Sequence, residues 1–335
     1  MMQLLMPAFI LAFSLGLGIA ALVWRAQMLD MPGHRSLHAS PTPRGGGIGI
    51  LAGTGAVFLF ASGQPVPLEG AAPLLAFTAA MTALGLADDL YALSGRLKLA
   101  LMGLLCLMAA GWTGVPETMA VSQNTALPLP VWIALPGAAL FLFVAVNAAN
   151  FMDGSDGMLA SALIPAGLGL AAAGLATGVL AASLAGVAVA GGLAGFLVLN
   201  RPPAQVFAGD AGSLCAGALY AGGALAMAVE GLAVALWLAP LFILPFLADV
   251  LLTLAKRAAG GRLSLEAHRE HAYQRLVAAG WSHGQVALAY NALAAACVIA
   301  GLMALQGPDG AVFWVFWGAA MVLSGLYALV HRRVC

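Results

Sequence analysis

Eleven apolar segments, each about as long as a bilayer crossing, follow one another along this chain of 335 residues. A hydrocarbon core about 30 Å thick takes roughly 20 apolar residues per helix. The segments lie near 3–24, 46–63, 70–87, 97–114, 130–148, 158–177, 180–199, 212–230, 231–255, 285–305 and 311–330. A soluble surface cannot be covered by a chain that is 62% hydrophobic and 8% charged, with a mean hydropathy of +0.99. The pattern predicts an all-α polytopic membrane protein of about 11 transmembrane helices, with 1–335 as a single domain. The stretch 231–255 reads either as one long helix or as a broken one. No Lys or Arg precedes Arg25 and the first apolar run is too long for a cleaved leader, so it is expected to remain as a span. Cys106, Cys215 and Cys297 fall inside apolar segments and, with Cys335, form no paired spacing, so neither a disulfide framework nor a zinc site is expected.

The charges orient the chain. Thirteen basic residues balance thirteen acidic ones, and no nucleic-acid partner is expected. With eleven spans every Lys and Arg falls on one side, while the opposite loops hold Glu69, Glu117, Glu230 and Asp309. Cytoplasmic loops are enriched in Lys and Arg. This places the N-terminus outside and the C-terminal "HRRVC" in the cytoplasm, as in the inner membrane of a bacterium.

The same map gathers five polar loops on the cytoplasmic face, at about 25–46, 87–98, 147–158, 200–213 and 256–284. An Asp at the centre of a transmembrane helix costs about 2.5–3.5 kcal/mol on insertion scales. Asp88, Asp89, Asp153, Asp156 and Asp210 avoid most of that at segment ends, where a cap or turn would also suit them. Five on one face point instead to chemistry. Gathered carboxylates repel, and a divalent ion such as magnesium (Mg2+, with manganese, Mn2+, as a substitute) relieves the repulsion through one or two carboxylates, waters and substrate phosphates. Phosphate contacts are on offer from Arg44 with the N–H groups of Gly45, Gly46 and Gly47, from Lys98, and from His268 with His271. His268, His271 and Arg275 fall at i, i+3 and i+7, one face if "EAHREHAYQRL" is helical. The amides of Asn147 and Asn150 suit polar substrate groups. Asp249 stands apart, and pairing with Lys256 or Arg257 is favoured over a catalytic role.

These clusters, in this order from about residue 30 to 283, resemble the polyprenyl-phosphate N-acetylhexosamine-1-phosphate transferases, a superfamily that includes the phospho-N-acetylmuramoyl-pentapeptide translocases. The resemblance implies transfer of a sugar 1-phosphate from a UDP-sugar to undecaprenyl phosphate with magnesium, releasing UMP. It matches the family's paired aspartates to Asp88 and Asp89 and its lysine to Lys98. The asparagine-and-aspartate loop corresponds to Asn147, Asn150, Asp153 and Asp156, and the following Asn to Asn200. The Gly-Asp-x-Gly-Ser motif falls on Gly209, Asp210, Gly212 and Ser213, with Asp210 as the implied magnesium ligand. "HREHAYQRL" replaces the translocases' run of consecutive histidines, and this looks more like the branch that initiates O-antigen and other surface polysaccharides.

The residue reading and the resemblance together give Asp88, Asp89, Asp210, Lys98, His268 and His271 as catalytic, and Arg44, Asn147, Asn150, Asp153, Asp156, Asn200, Gly209 and Ser213 as substrate-binding. The alternatives are a phospho-N-acetylmuramoyl-pentapeptide transferase and, from another class, an ion-coupled transporter. A transporter is expected to show midplane carboxylates and two similar halves. Here the carboxylates gather at one interface and no motif repeats between halves. Oligomeric state is left open, a homodimer included.

Overall fold

Inside a bilayer every backbone N–H and C=O must find its partner within the protein, and apolar runs meet that demand as helices. The structure, a computed structural model, describes residues 2–27, 29–30, 42–121, 125–262 and 269–333. Each apolar segment has a helical counterpart. In chain order these are α1 (Met2–Ala26), α2 (Ile48–Ser62), α3 (Ala71–Tyr91), α4 (Gly95–Thr113), α5 (Val131–Met152), α6 (Met158–Thr177), α7 (Leu180–Asn200) and α8 (Gly209–Glu230). Then come α9 (Ala235–Phe242), α10 (Leu244–Ala259), the short α11 (Ala272–Ala278), α12 (His283–Leu305) and α13 (Ala311–Arg333). Two antiparallel ribbons complete the described residues, β1 (Leu29–Asp30) with β2 (Thr42–Pro43), and β3 (Thr118–Ala120) with β4 (Ala126–Pro128).

Among the described residues nine helices are long and apolar enough to cross a membrane, and α9 with α10 makes a tenth if the bent pair is one span. α2 has 15 residues, short of a full crossing at about 1.5 Å per residue. The segment at 231–255 is broken, with α9 and α10 meeting at 79°. Pro240 within α9 and Pro245 in the first turn of α10 remove N–H donors on either side of the break, which is why one straight helix does not form.

The inner helices are α6, α7 and α8, whose faces are almost entirely Ala, Gly and Leu. Small side chains let backbones meet: Gly195 of α7 packs on the Phe13 backbone of α1, and Gly186 of α7 on that of α6. Where lipid tails are as apolar as the protein, such close van der Waals contact drives helix association. Cys106, Cys215 and Cys297 are buried and free, as expected of small core residues; Cys335 lies outside the described residues.

Contacts between helix ends define two poles. At one, Gly70 before α3 lies against the Glu230 carboxylate that closes α8, and the Trp237 Nε1–H of α9 donates to the Ala120 carbonyl of the β3–β4 ribbon at 2.6 Å. At the other, the C-terminal ends of α3, α5 and α7 meet the N-terminal ends of α4, α8 and α12. The polar loops lie at this second pole.

Candidate active site

The N-terminal turn of α8 is the site's foundation. The first N–H groups of a helix have no partner within it. Here Asp89, from the end of α3, accepts the Asp210 N–H at Oδ1 and the Ala211 N–H at Oδ2, both at 3.0 Å. Two glycines make this cross-helix cap possible. Gly85, one turn before Asp89, lies so close to the Asp210 carbonyl that a methyl group would hold α3 away. Gly209 has φ +74°, and a Cβ there would stand 2.8 Å from the Asp89 carboxylate. Arg44 Nη2 completes the arrangement, 2.7 Å from Asp89 Oδ1 and 3.6 Å from Asp210 Oδ2.

Asp210 is the hub. Its Oδ2 is 3.0 Å from Lys98 Nζ, which also lies 2.8 Å from Asp88 Oδ2. Its Oδ1 accepts from Asn150 Nδ2 at 2.7 Å, and that same amide donates to the Ser213 hydroxyl at 2.9 Å. Asp88 also receives the Leu93 N–H at 2.8 Å, which fixes the turn between α3 and α4. Asp153, the C-cap of α5, keeps partial solvent access. Apolar surroundings lift its pKa well above the usual carboxylate range; the Asp210 and Asp89 charges push the same way, and Arg44 opposes them. Arg44, Asp88, Asp89, Lys98, Asn150, Asp153, Asp210 and Ser213 are therefore one constellation drawn from five elements.

Other expected site residues hold the loops together. Asn200 accepts the Gly157 N–H at 2.9 Å and donates to the Val206 carbonyl at 2.8 Å. Asp156 accepts the Ala204 N–H at 3.0 Å. These bonds tie the α5–α6 turn to the α7–α8 loop. Asn147 is buried one turn below Asn150, and its Nδ2 donates to the Phe143 carbonyl of its own helix at 2.8 Å. The glycines after Arg44 do not offer their N–H groups to phosphate. Gly45 and Gly46 donate to the Phe207 carbonyl at 3.1 and 3.0 Å, and Gly47 donates to Ala208 at 3.2 Å, which lays this strand against the start of α8.

The histidine loop differs from its expected form. His268 lies outside the described residues, as do residues 31–41. α11 begins only at Ala272, with His271 extended at its N-cap, so His271 and Arg275 do not continue a helix from residue 268. The His271 side chain is 5% exposed and its Nδ1 lies 3.4 Å from Asp249 Oδ1, a carboxylate that is not part of the hub. Asp249 in turn meets α11 and α12, while Arg257 pairs with Glu270. The expected pairing of Asp249 with Lys256 or Arg257 gives way to backbone N–H and hydroxyl donors. His283 joins this loop cluster: its Nδ1 lies 3.0 Å from the Ser155 hydroxyl and 3.7 Å from Asp156 Oδ1. Its position at the head of an apolar segment, after a Ser cap, gave no chemical signal.

Four carboxylates, Asp88, Asp89, Asp153 and Asp210, thus face two fixed cations, Arg44 and Lys98. Among the described residues no three His, Cys, Asp or Glu side chains converge as a metal cage made by protein alone. Magnesium does not require one, since it is usually held by one or two carboxylates plus waters and phosphate oxygens. Asp210, a partly accessible carboxylate that meets Asn150 at Oδ1 and Lys98 at Oδ2, fits that mode. The capping geometry also gives a prediction: Asp89→Asn turns an NH2 group toward backbone donors. Leaving such a donor unsatisfied costs about 1–3 kcal/mol. Thermal melting in detergent and turnover should therefore fall together, whereas loss of turnover with unchanged melting would show that Asp89 is not a clamp.

Residues 71–229, from the start of α3 almost to the end of α8, match the profile of "Glycosyl transferase family 4". The chain is 28% identical over 327 residues to the decaprenyl-phosphate N-acetylglucosaminephosphotransferase of Mycobacterium leprae, covering 85% of this chain and 78% of that protein. It is 31% identical over 297 residues to the phospho-N-acetylmuramoyl-pentapeptide-transferase of Moorella thermoacetica, covering 83% and 89%. A third relative is the undecaprenyl-phosphate alpha-N-acetylglucosaminyl 1-phosphate transferase of Thermotoga maritima, at 30% over 209 residues, 62% of this chain and 60% of that one. This multi-pass membrane protein belongs to the polyprenyl-phosphate sugar-1-phosphate transferases of glycosyl transferase family 4, which take a UDP-sugar and release UMP.

Proposed function

We propose that this enzyme transfers an N-acetylhexosamine 1-phosphate, plain or 6-deoxy, from its UDP-sugar to undecaprenyl phosphate. On this reading it carries out the initiating step of O-antigen or another surface polysaccharide. The observation that carries the proposal is the hub itself: Lys98 bridges Asp88 and Asp210 while Arg44 spans Asp89 and Asp210. Two anions must approach each other in this reaction, and their repulsion grows as the dielectric falls. An oxygen of the lipid phosphate attacks the β-phosphorus of the donor. The bond from that phosphorus to the bridging oxygen breaks, and UMP leaves with the electron pair. Lys98 and Arg44, poised between carboxylates, are the cations that can turn to the incoming phosphates. Asp88, whose Oδ1 is fixed by the Leu93 N–H, orients the acceptor phosphate or takes its proton. Asp210 would hold magnesium, which supplies charge neutralisation of the pyrophosphate when bound.

The choice of donor rests on two supports. The long match to the mycobacterial relative, over 85% of this chain, is to a protein named for N-acetylglucosamine. In the loop after α10, "HREH" stands where the pentapeptide enzymes are expected to carry consecutive histidines, and His271 there is engaged by Asp249. The second reading, a pentapeptide transferase, is favoured by the Moorella relative. Purified protein with undecaprenyl phosphate and a panel of UDP-sugars separates the two by released UMP. A simple UDP-N-acetylhexosamine should react and the N-acetylmuramoyl-pentapeptide donor should not; equal rates would overturn the assignment.

The membrane arrangement proposed with this activity has eleven spans, counting bent α9–α10 as one and α2 with its following loop as another. The N-terminus is outside, with the hub and the C-terminus in the cytoplasm. The charge distribution supports it, because all Lys and Arg then lie at the hub's pole. In a cysteine-free background, an impermeant maleimide added to intact cells should label Glu69→Cys and Asp309→Cys and spare Arg96→Cys. Labelling of all three would contradict the arrangement.

A further inference from the structure

Asp249 lies in α10, away from the hub, and is only 2% exposed, yet it is among the most fully bonded side chains in the protein. Oδ1 receives the Ala272 N–H at 2.8 Å and the Thr253 hydroxyl at 3.3 Å, with His271 Nδ1 at 3.4 Å. Oδ2 receives the Tyr290 hydroxyl at 2.6 Å and the Tyr273 N–H at 3.2 Å. One carboxylate thus fastens α10, the first turn of α11 and α12 together.

The chain of contacts continues toward the hub. Tyr273, fixed at its backbone by Asp249, has a fully buried ring and donates its hydroxyl to the Phe151 carbonyl at 3.1 Å. That carbonyl is in the last turn of α5, where helix carbonyls lack partners within the helix. The Tyr273 hydroxyl also lies directly over Gly154, leaving no room for a Cβ there. Each of these contacts directly follows a site residue in the chain: Asn150, which bridges Asp210 and Ser213, precedes Phe151, and Asp153 at the C-cap precedes Gly154. The Asp153 N–H donates to the Asn150 carbonyl at 3.3 Å, a bond internal to the turn.

We infer that Asp249 and Tyr273 are positioning residues for the transfer: the Asp249 carboxylate sets α11, and the Tyr273 hydroxyl sets the end of α5 so that Asn150 and Asp153 face Asp210. The inference rests on the transferase reading of the hub but not on the identity of the sugar.

Three variants test it, read as released UMP with the wild type's fastest donor, so that a wrong sugar assignment leaves the comparison intact. Tyr273→Phe removes one hydroxyl and keeps the buried ring. It should lower kcat about tenfold while the donor KM stays within about twofold and the melting temperature holds. Asp249→Asn should lower kcat at least as far, and the double variant should fall no further than the worse single, because both act along one chain of contacts. Gly154→Ala should lose activity through collision with the Tyr273 hydroxyl, and adding Tyr273→Phe should restore part of it. If Asp249→Asn does not fold, Tyr273→Phe and the Gly154→Ala pair decide the matter. Wild-type kcat in Tyr273→Phe, a change confined to KM, multiplying effects in the double variant, or no rescue of Gly154→Ala would each overturn the inference.

Discussion

The start of α8 depends on a carboxylate that belongs to another helix. At the membrane face, with little water to satisfy them, the leading N–H groups of a helix need partners from the protein. Asp89 provides two acceptors at once, and the α3–α8 contact at Gly85 brings it within reach. This cap fixes Asp210 in the first turn, and Lys98, Arg44, Asn150 and Ser213 are all placed relative to Asp210. Moving α3 against α8 would displace every member of the hub together.

Charge then determines what the hub can do. Four carboxylates against two cations leave an excess of negative charge; burial is the main cause that lifts the Asp153 pKa, and the Asp210 and Asp89 charges add to it. An anionic substrate entering such a site meets repulsion unless a cation comes with it or waits for it. Asp210 has donors on both oxygens and is the natural place for that cation, while Lys98 and Arg44 stand close enough to exchange a carboxylate partner for a phosphate. Asn200 and Asp156 contribute rigidity by tying the α5–α6 turn to the α7–α8 loop.

Much of this is legible along the chain because the membrane imposes it. Apolar length reveals the helices, and a carboxylate that survives at the end of an apolar segment marks the face where polar groups are tolerated. What the chain does not reveal is which partner a polar side chain meets across space. Asp249 looks like a mate for Lys256 or Arg257 about two turns on, but α11 folds back and presents the N–H groups of Ala272 and Tyr273. The glycines after Arg44 look like a phosphate cradle, but the neighbouring Phe207 and Ala208 carbonyls take their N–H groups. His271 has helical spacing to its neighbours and is nonetheless extended, because the helix starts one residue later. The break between α9 and α10 follows from two prolines, yet its 79° angle comes from packing that no local pattern encodes.

The claim at the centre of this account is that Asp210 holds the cation that lets two phosphates meet. The direct measurement is turnover of wild type and Asp210→Asn across a magnesium titration, with both proteins matched for melting behaviour. The isosteric amide keeps a carbonyl oxygen for Asn150 or Lys98 but carries no charge. The account predicts a fall of at least about a hundredfold, on the order of 3 kcal/mol in transition-state stabilisation, that added magnesium does not recover. Near-normal turnover of Asp210→Asn at the wild type's magnesium requirement would place the ion elsewhere and contradict the account.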